Sequence, residues 1–284
     1  MPPFLMAGVR FLTAGSLLYA WALLRNGVRP ERAHWMAAAV TGALLLMGGN
    51  GAVVWAEQRV PSGVAALMVA LTPCWMVLID WLRPGGIRPT GRTVAGLLLG
   101  LGGIGLLVGP QPLMGGEPVD PVGAFVLMLG SLCWASGSIY SRHARFAATP
   151  ALAAGMQMLT GGSILVLASL IAGEPAQLHP SLFSLKSLLA FAYLITFGAI
   201  IAYSAYTYLL RHSTPARAST YAYVNPVVAV VLGWALAGES LSPRMGIAAL
   251  VIVGGVALIS LSRPPRGVPG PAAAASAKAR TAEG

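Results

Sequence analysis

The sequence predicts an all-α integral membrane protein, and three observations carry that prediction. Of the 284 residues, 56% are hydrophobic and 9% are charged, and the mean hydropathy is +0.74. A soluble domain carries about 25% charged residues. The apolar residues gather into nine segments, most of them near the roughly 20 residues that cross a hydrocarbon core about 30 Å thick. Lys and Arg collect on alternate connections between those segments. The formal charge of +10 therefore does not describe a nucleic-acid surface, because the basic residues occupy short loops rather than one block or one face.

The segments are residues 4–24, 34–56, 62–82, 93–109, 122–141, 151–172, 187–210, 216–238 and 245–262. Their connections are short and rich in Pro, Gly, Arg and Ser, as helix ends and turns require. The first has no basic residue ahead of its apolar run, so it reads as a span rather than a signal peptide. The third carries Thr72-Pro73 at its middle. The fourth is lined with glycines, among them Gly96, Gly100, Gly102 and Gly103, which suit close helix packing. The seventh and eighth hold six of the eight tyrosines. The eighth has no charge after Arg217 and contains Asn225-Pro226. Pro226 frees the carbonyl of Ala222, and in lipid that group must face protein or a water-filled cavity. Residues 263–284 are Pro- and Ala-rich without apolar periodicity and are expected to be disordered. Cys74 and Cys133 lie inside apolar runs and read as small buried hydrophobes.

Charge sets the orientation. Arg25, Arg29 and Arg32 follow the first segment, Arg83, Arg88 and Arg92 the third, Arg142 and Arg145 the fifth, and Arg211 and Arg217 the seventh. The tail adds Arg263, Arg266, Lys278 and Arg280. The opposite connections hold Arg59, Lys186 and Arg244, with Glu57, Glu117, Asp120, Glu174 and Glu239. The C-terminus is expected in the cytoplasm and Met1 outside.

The chain also repeats. Residues 3–18 and 150–165 are identical at nine of sixteen positions at a constant offset of 147. Thr72-Pro73 matches Asn225-Pro226, and Gly102-Gly103 matches Gly254-Gly255. Segments one to four thus recur as six to nine, and corresponding segments cross in opposite directions, which is an inverted repeat. The fifth segment opens the second repeat, and its counterpart would precede Pro3. The expected plan is a 5+5 inverted-repeat fold of ten helices, of which nine are in this chain and the first is lacking. Residues 1–110 form the first repeat, 121–262 the second, and 263–284 the tail.

Candidate functional residues follow from polar groups at helical spacing. Ser131, Trp134, Ser138 and Ser141 share a face of the fifth segment. Small hydroxyls beside an indole suit an amphiphilic organic substrate, with helix packing as the alternative reading. Asn50, Val54 and Glu57 share a face of the second segment. Arg10 is the one charge well inside an apolar segment, and an intramembrane charge needs a partner or a route to water. Glu57 lies at the same outer level, so an Arg10–Glu57 ion pair is expected at an outer gate; snorkelling of Arg10 is the alternative. Tyr203 and Tyr206, and Tyr221 and Asn225, are spaced to share faces. The expected cavity lining is Asn50, Thr72, Trp134, Ser138, Tyr203, Tyr206, Tyr221 and Asn225. Pro73 and Pro226 are the expected helix bends, because paired interruptions mark midplane sites in inverted-repeat carriers. Asp80 reads as a solvated helix-end residue. No metal-binding, nucleotide-binding or nucleophile motif is present, so neither a catalytic residue nor a cofactor is expected. The partners are a small-molecule substrate and the lipid bilayer.

Five stretches carry a resemblance: AGVRFLTAG at 7–15, GNGAVVWAEQRVPSGVAAL at 49–67, GSLCWASGSIYSR at 130–142, STYAYVNPVVAVVLG at 219–233 and GESL at 238–241. Over about residues 1–262 the chain resembles the drug/metabolite transporter superfamily, EamA branch. The resemblance implies ten helices in two inverted halves, cytoplasmic termini, and export of small metabolites from a central cavity lined here by the second, third, fifth, seventh and eighth segments. The function expected is secondary transport by alternating access. The competing class is a non-transporting membrane protein, a scaffold or a remnant lacking the first helix.

Overall fold

A computed structural model describes residues 2–26, 29–60, 62–108, 120–144, 146, 149–178, 184–237 and 243–262. Among these, all regular structure is helical. We number the rods α1 (Pro3–Asn26), α2 (Arg32–Ala56), α3 (Ser62–Val69), α4 (Thr72–Leu82), α5 (Gly91–Val108), α6 (Pro121–His143), α7 (Pro150–Ile171), α8 (Leu185–His212), α9 (Pro215–Ala218), α10 (Tyr221–Ala237) and α11 (Pro243–Leu261). The tail and Glu239, on which two of the expectations fall, lie outside the described residues.

Helix starts follow local chemistry. Pro121 and Pro150 occupy first-turn positions, where a missing N–H costs nothing. Asp120 Oδ1 accepts from Val122 N at 3.1 Å and Thr149 Oγ1 from Leu152 N at 3.3 Å. The α1 start is capped from a distance: Glu174 is buried, and its carboxylate accepts from Phe4 N at 3.2 Å and Leu5 N at 2.8 Å. A carboxylate there satisfies orphan amides and complements the helix dipole.

Eight described stretches are long and apolar enough to cross a bilayer, one of them α3 and α4 taken together as Val64–Leu82. The eighth expected span, residues 216–238, divides into α9, a turn at Ser219–Thr220, and the 17 residues of α10. The hydroxyls explain the division. Ser219 Oγ donates to Ala216 O and Thr220 Oγ1 to Arg217 O, local bonds that compete with the helical ladder. Pro226 lies inside a helix that continues past it. In the third segment the interruption falls at Ala70–Leu71, ahead of Pro73 rather than at it, and Pro73 sits in the first turn of α4. Leu71 N reaches back only to Met68 O, and Pro73 has no N–H to offer Val69. Pro73 thus follows a break in its segment, whereas α10 continues through Pro226.

Two features were absent from the expectations. The middle of α2, Ala43–Gly51, and the middle of α8, Leu194–Ile201, are π-helical. π-helical turns are rare and cluster at functional sites.

Glycines set two close antiparallel crossings. Where α1 meets α7, a Cβ on Gly162 would stand 2.9 Å from Leu12 N and 3.1 Å from Gly8 O, and one on Gly15 would stand 2.9 Å from Leu159 N and 3.1 Å from Gly155 O. Where α5 meets α11, Gly103 lies against Ile252 N and Ala248 O, and Gly255 against Gly100 N and Gly96 O. Small residues permit this approach of backbones, which packing in lipid requires. Outward side chains such as Leu98, Leu167, Ile171 and Leu250 are exposed and apolar, as a lipid-facing surface requires.

Candidate functional site

Two cavities meet inside the bundle. One, of about 380 Å³, is lined by Arg10 and Phe11 of α1, Asn50 of α2, Trp134 of α6, Gly198 to Leu209 of α8, and Tyr221 and Asn225 of α10. The other, of about 320 Å³, is lined by Gly49 to Glu57 of α2, Ala65 to Val69 of α3, Thr72 of α4, Gly130 to Trp134 of α6, and Tyr221. Asn50, Trp134 and Tyr221 belong to both. The volumes fall in the range of small-molecule sites.

The wall between them is an aromatic cluster held by hydrogen bonds. Trp134 Nε1 donates to the Tyr206 hydroxyl at 3.0 Å, and Ser138 Oγ pairs with the same hydroxyl at 2.5 Å. The Trp134 and Tyr206 ring centres are 5.5 Å apart, and Tyr206 meets Tyr221 edge-on at 5.1 Å. Tyr203 donates to Gln157 Oε1 at 2.8 Å. Trp134, Tyr206 and Tyr203 are thus each held by a polar partner.

Glycine places the indole. A Cβ on Gly49 would stand 2.6 Å from Trp134 Cε3. Only a bare backbone lets the indole lie against the π-helical part of α2.

Seven of the eight expected lining residues do line these cavities: Asn50, Thr72, Trp134, Tyr203, Tyr206, Tyr221 and Asn225. Ser138 does not. It is fully buried behind the wall, bonded to Trp134 O and Tyr206. Pro73 and Pro226 line neither cavity.

The Arg10–Glu57 ion pair is not formed. Arg10 Nη2 donates to Asn50 Oδ1 at 3.0 Å, and the guanidinium carbon lies 4.5 Å from the Phe11 ring centre. Glu57 sits exposed at the mouth of the other cavity, where partial burial pushes its carboxyl up. Equal depth places two groups at one level but not on one face, and the bare amide of Asn50 is nearer. Asp80 is likewise not a solvated end residue: it is 4% exposed and paired with Arg83 at 2.6 Å.

Sequence reasoning passed over Phe11, Gly49, Gly198 and Gln157. Gln157 had a signal, since it is the repeat counterpart of Arg10; the glycines had none apart from π-helical backbone. Cys74 and Cys133 are free and partly buried. Among the described residues no three His, Cys, Asp or Glu side chains gather as a metal site.

A helical bundle of membrane-crossing rods around a polar-and-aromatic cavity fits the class of polytopic membrane transporters. The chain belongs to the EamA-like transporter family, whose model matches residues 1–109 and 121–261. It is 44% identical over 263 residues to the inner membrane transporter YedA of Escherichia coli K12, covering 92% of this chain and 83% of that protein. It is 28% identical over 266 residues to Protein PecM of Dickeya dadantii, covering 91% and 85%. A solved crystal structure superposes with a TM-score of 0.74 at 25% identity, covering 92% of this chain and 88% of that one.

Proposed function

We propose that the chain is a secondary carrier that exports small metabolites or amphiphilic compounds across the inner membrane by alternating access. Family membership and the similarity to an inner membrane transporter support transport. The observation that carries the site is the meeting of two cavities at Asn50, Trp134 and Tyr221. A passage pinched by three side chains from three different helices can be widened or closed by small shifts of those helices, which is what alternating access asks of a gate.

Alternating access is simplest between halves of opposite orientation, and reciprocal contacts support such a pair. Gly162 meets Leu12 N and Gly8 O at the same distances at which Gly15 meets Leu159 N and Gly155 O. Shifting each partner by 147 positions exchanges the two sets. Gly103 and Gly255 exchange likewise at an offset of 152, and the two π-helical stretches begin 151 positions apart. Each is what a two-fold relation between inverted halves requires. The excess of Arg on one set of loops favours a cytoplasmic C-terminus. Export then runs from the Tyr206 side of the aromatic wall to the Glu57 mouth.

Counterflow into proteoliposomes holding the full chain tests this reading, with amino acids, nucleosides and cationic dyes as a first panel. Saturable uptake lost in Asn225→Leu, with normal membrane insertion, is expected. Flux indifferent to that substitution would remove Asn225 from the path.

A further inference from the structure

Among the described residues, Arg10 is a cation in the bundle interior with no anion beside it. It lines the larger cavity, its hydrogen-bond partner is the neutral Asn50 amide, and its Nε is buried without a partner. A guanidinium carries five N–H donors in a fixed fork, so most of this one is unused. Of the described acids, none pairs with Arg10. Glu174, which caps α1, spends both oxygens on Phe4 N and Leu5 N. Glu57 lines the neighbouring cavity, exposed to water, and makes no ion pair with Arg10. Among the described residues the one ion pair is Arg83–Asp80, at the far end of α4.

A charge held away from bulk water without a counter-ion is costly unless something supplies one. The cavity beside Arg10 is otherwise built for an apolar, flat body, with Phe11, Trp134, Tyr206 and Tyr221 around it. We propose, resting on the carrier reading above, that the cavity takes an organic monocarboxylate: its carboxylate is the missing partner of Arg10, and its apolar or aromatic body lies against the Trp134–Tyr206–Tyr221 wall. A carboxylate matches the guanidinium fork with two parallel bonds. A second negative charge on the ligand would find no partner. An ammonium would gain from the ring faces but would stand beside a poorly hydrated like charge. Glu57 does not reverse that preference, because water at the mouth screens it while Arg10 lies deeper.

Three probes of one shape test the proposal: 3-phenylpropanoate, 3-phenylpropanamide and 3-phenylpropylammonium, titrated calorimetrically into the purified full chain. The carboxylate is expected to bind about 10-fold or more tightly than either of the others, the gain of one charge-assisted bidentate contact. Arg10→Gln should bring the carboxylate to within about 2-fold of the amide, and Arg10→Lys should keep part of the preference, since the charge remains but the fork is lost. Retained amide binding in these variants shows that the cavity is intact. Should Arg10→Gln fail to fold, Asn50→Asp gives the same answer without removing the cation. It sets a carboxylate where an amide oxygen already lies 3.0 Å from Arg10, and this built-in counter-ion should abolish the preference. Binding of the amide or the ammonium as tightly as the carboxylate, binding of none of the three, or a preference that survives Asn50→Asp, overturns the proposal. Counterflow of the same probes separates it from the carrier reading. Carboxylate binding without flux would overturn transport and leave the anion site. Flux without carboxylate preference would do the reverse.

Discussion

Tyr206 shows how one side chain holds the cavity wall. Its hydroxyl accepts from Trp134 and pairs with Ser138. Tyr206→Phe leaves the indole N–H without that acceptor, a loss of about 1–3 kcal/mol for a buried unsatisfied donor, and thermal unfolding in detergent should show a lower Tm with the helix content unchanged. Gly49→Ala acts on the same indole from the other side. Its new Cβ would meet Trp134 at 2.6 Å, and overpacking of this kind costs about 1–3 kcal/mol; flux should fall in the counterflow assay because the wall moves. Glu57 yields a pH prediction. Its carboxyl is raised by loss of hydration, so the folded protein binds that proton more tightly than the unfolded chain. Stability should therefore rise slightly as pH falls through the folded pKa of Glu57, toward its ordinary value near 4.5, and the rise should vanish in Glu57→Gln when Tm is measured against pH. At this scale the sequence was readable where a polar side chain interrupts an apolar face: Asn50, Trp134, Tyr221 and Asn225 declared themselves. It was not readable where partner choice depends on rotation about a helix axis. That is why Glu57 was matched to Arg10 although Asn50 holds it.

Among the elements, apolar length located the rods, but not how they are interrupted. A Pro in mid-segment has two outcomes here. Ahead of Pro73 the helix stops at Ala70–Leu71 and restarts, whereas α10 runs through Pro226. Composition does not decide between them. Pro73→Ala should let helix continue across Ala70–Leu71. Restoring the missing N–H should leave stability equal or slightly higher, while flux falls, since a straightened segment turns Thr72 away from the cavity it lines. Tm and counterflow on the same preparation check both halves of that statement. The π-helical stretches are the larger omission. They widen α2 and α8 where Gly49, Asn50 and Gly198 face the cavities. Hydrophobic periodicity carries no mark of a ladder that shifts from i+4 to i+5.

For the whole molecule, the alternation of Arg-rich and Arg-poor loops and the offset repeat were legible before any coordinate. The glycine contacts form two antiparallel crossings, α1 with α7 and α5 with α11. The account rests on one central claim, that solute passes through the cavities joined at Asn50, Trp134 and Tyr221. Counterflow by the full chain in proteoliposomes, compared with Trp134→Ala at equal insertion, tests it most directly. The account predicts saturable flux in the parent and at least a tenfold loss in the variant, about the effect of removing one well-packed aromatic contact of some 1.4 kcal/mol or more. Equal flux in the two proteins would contradict it.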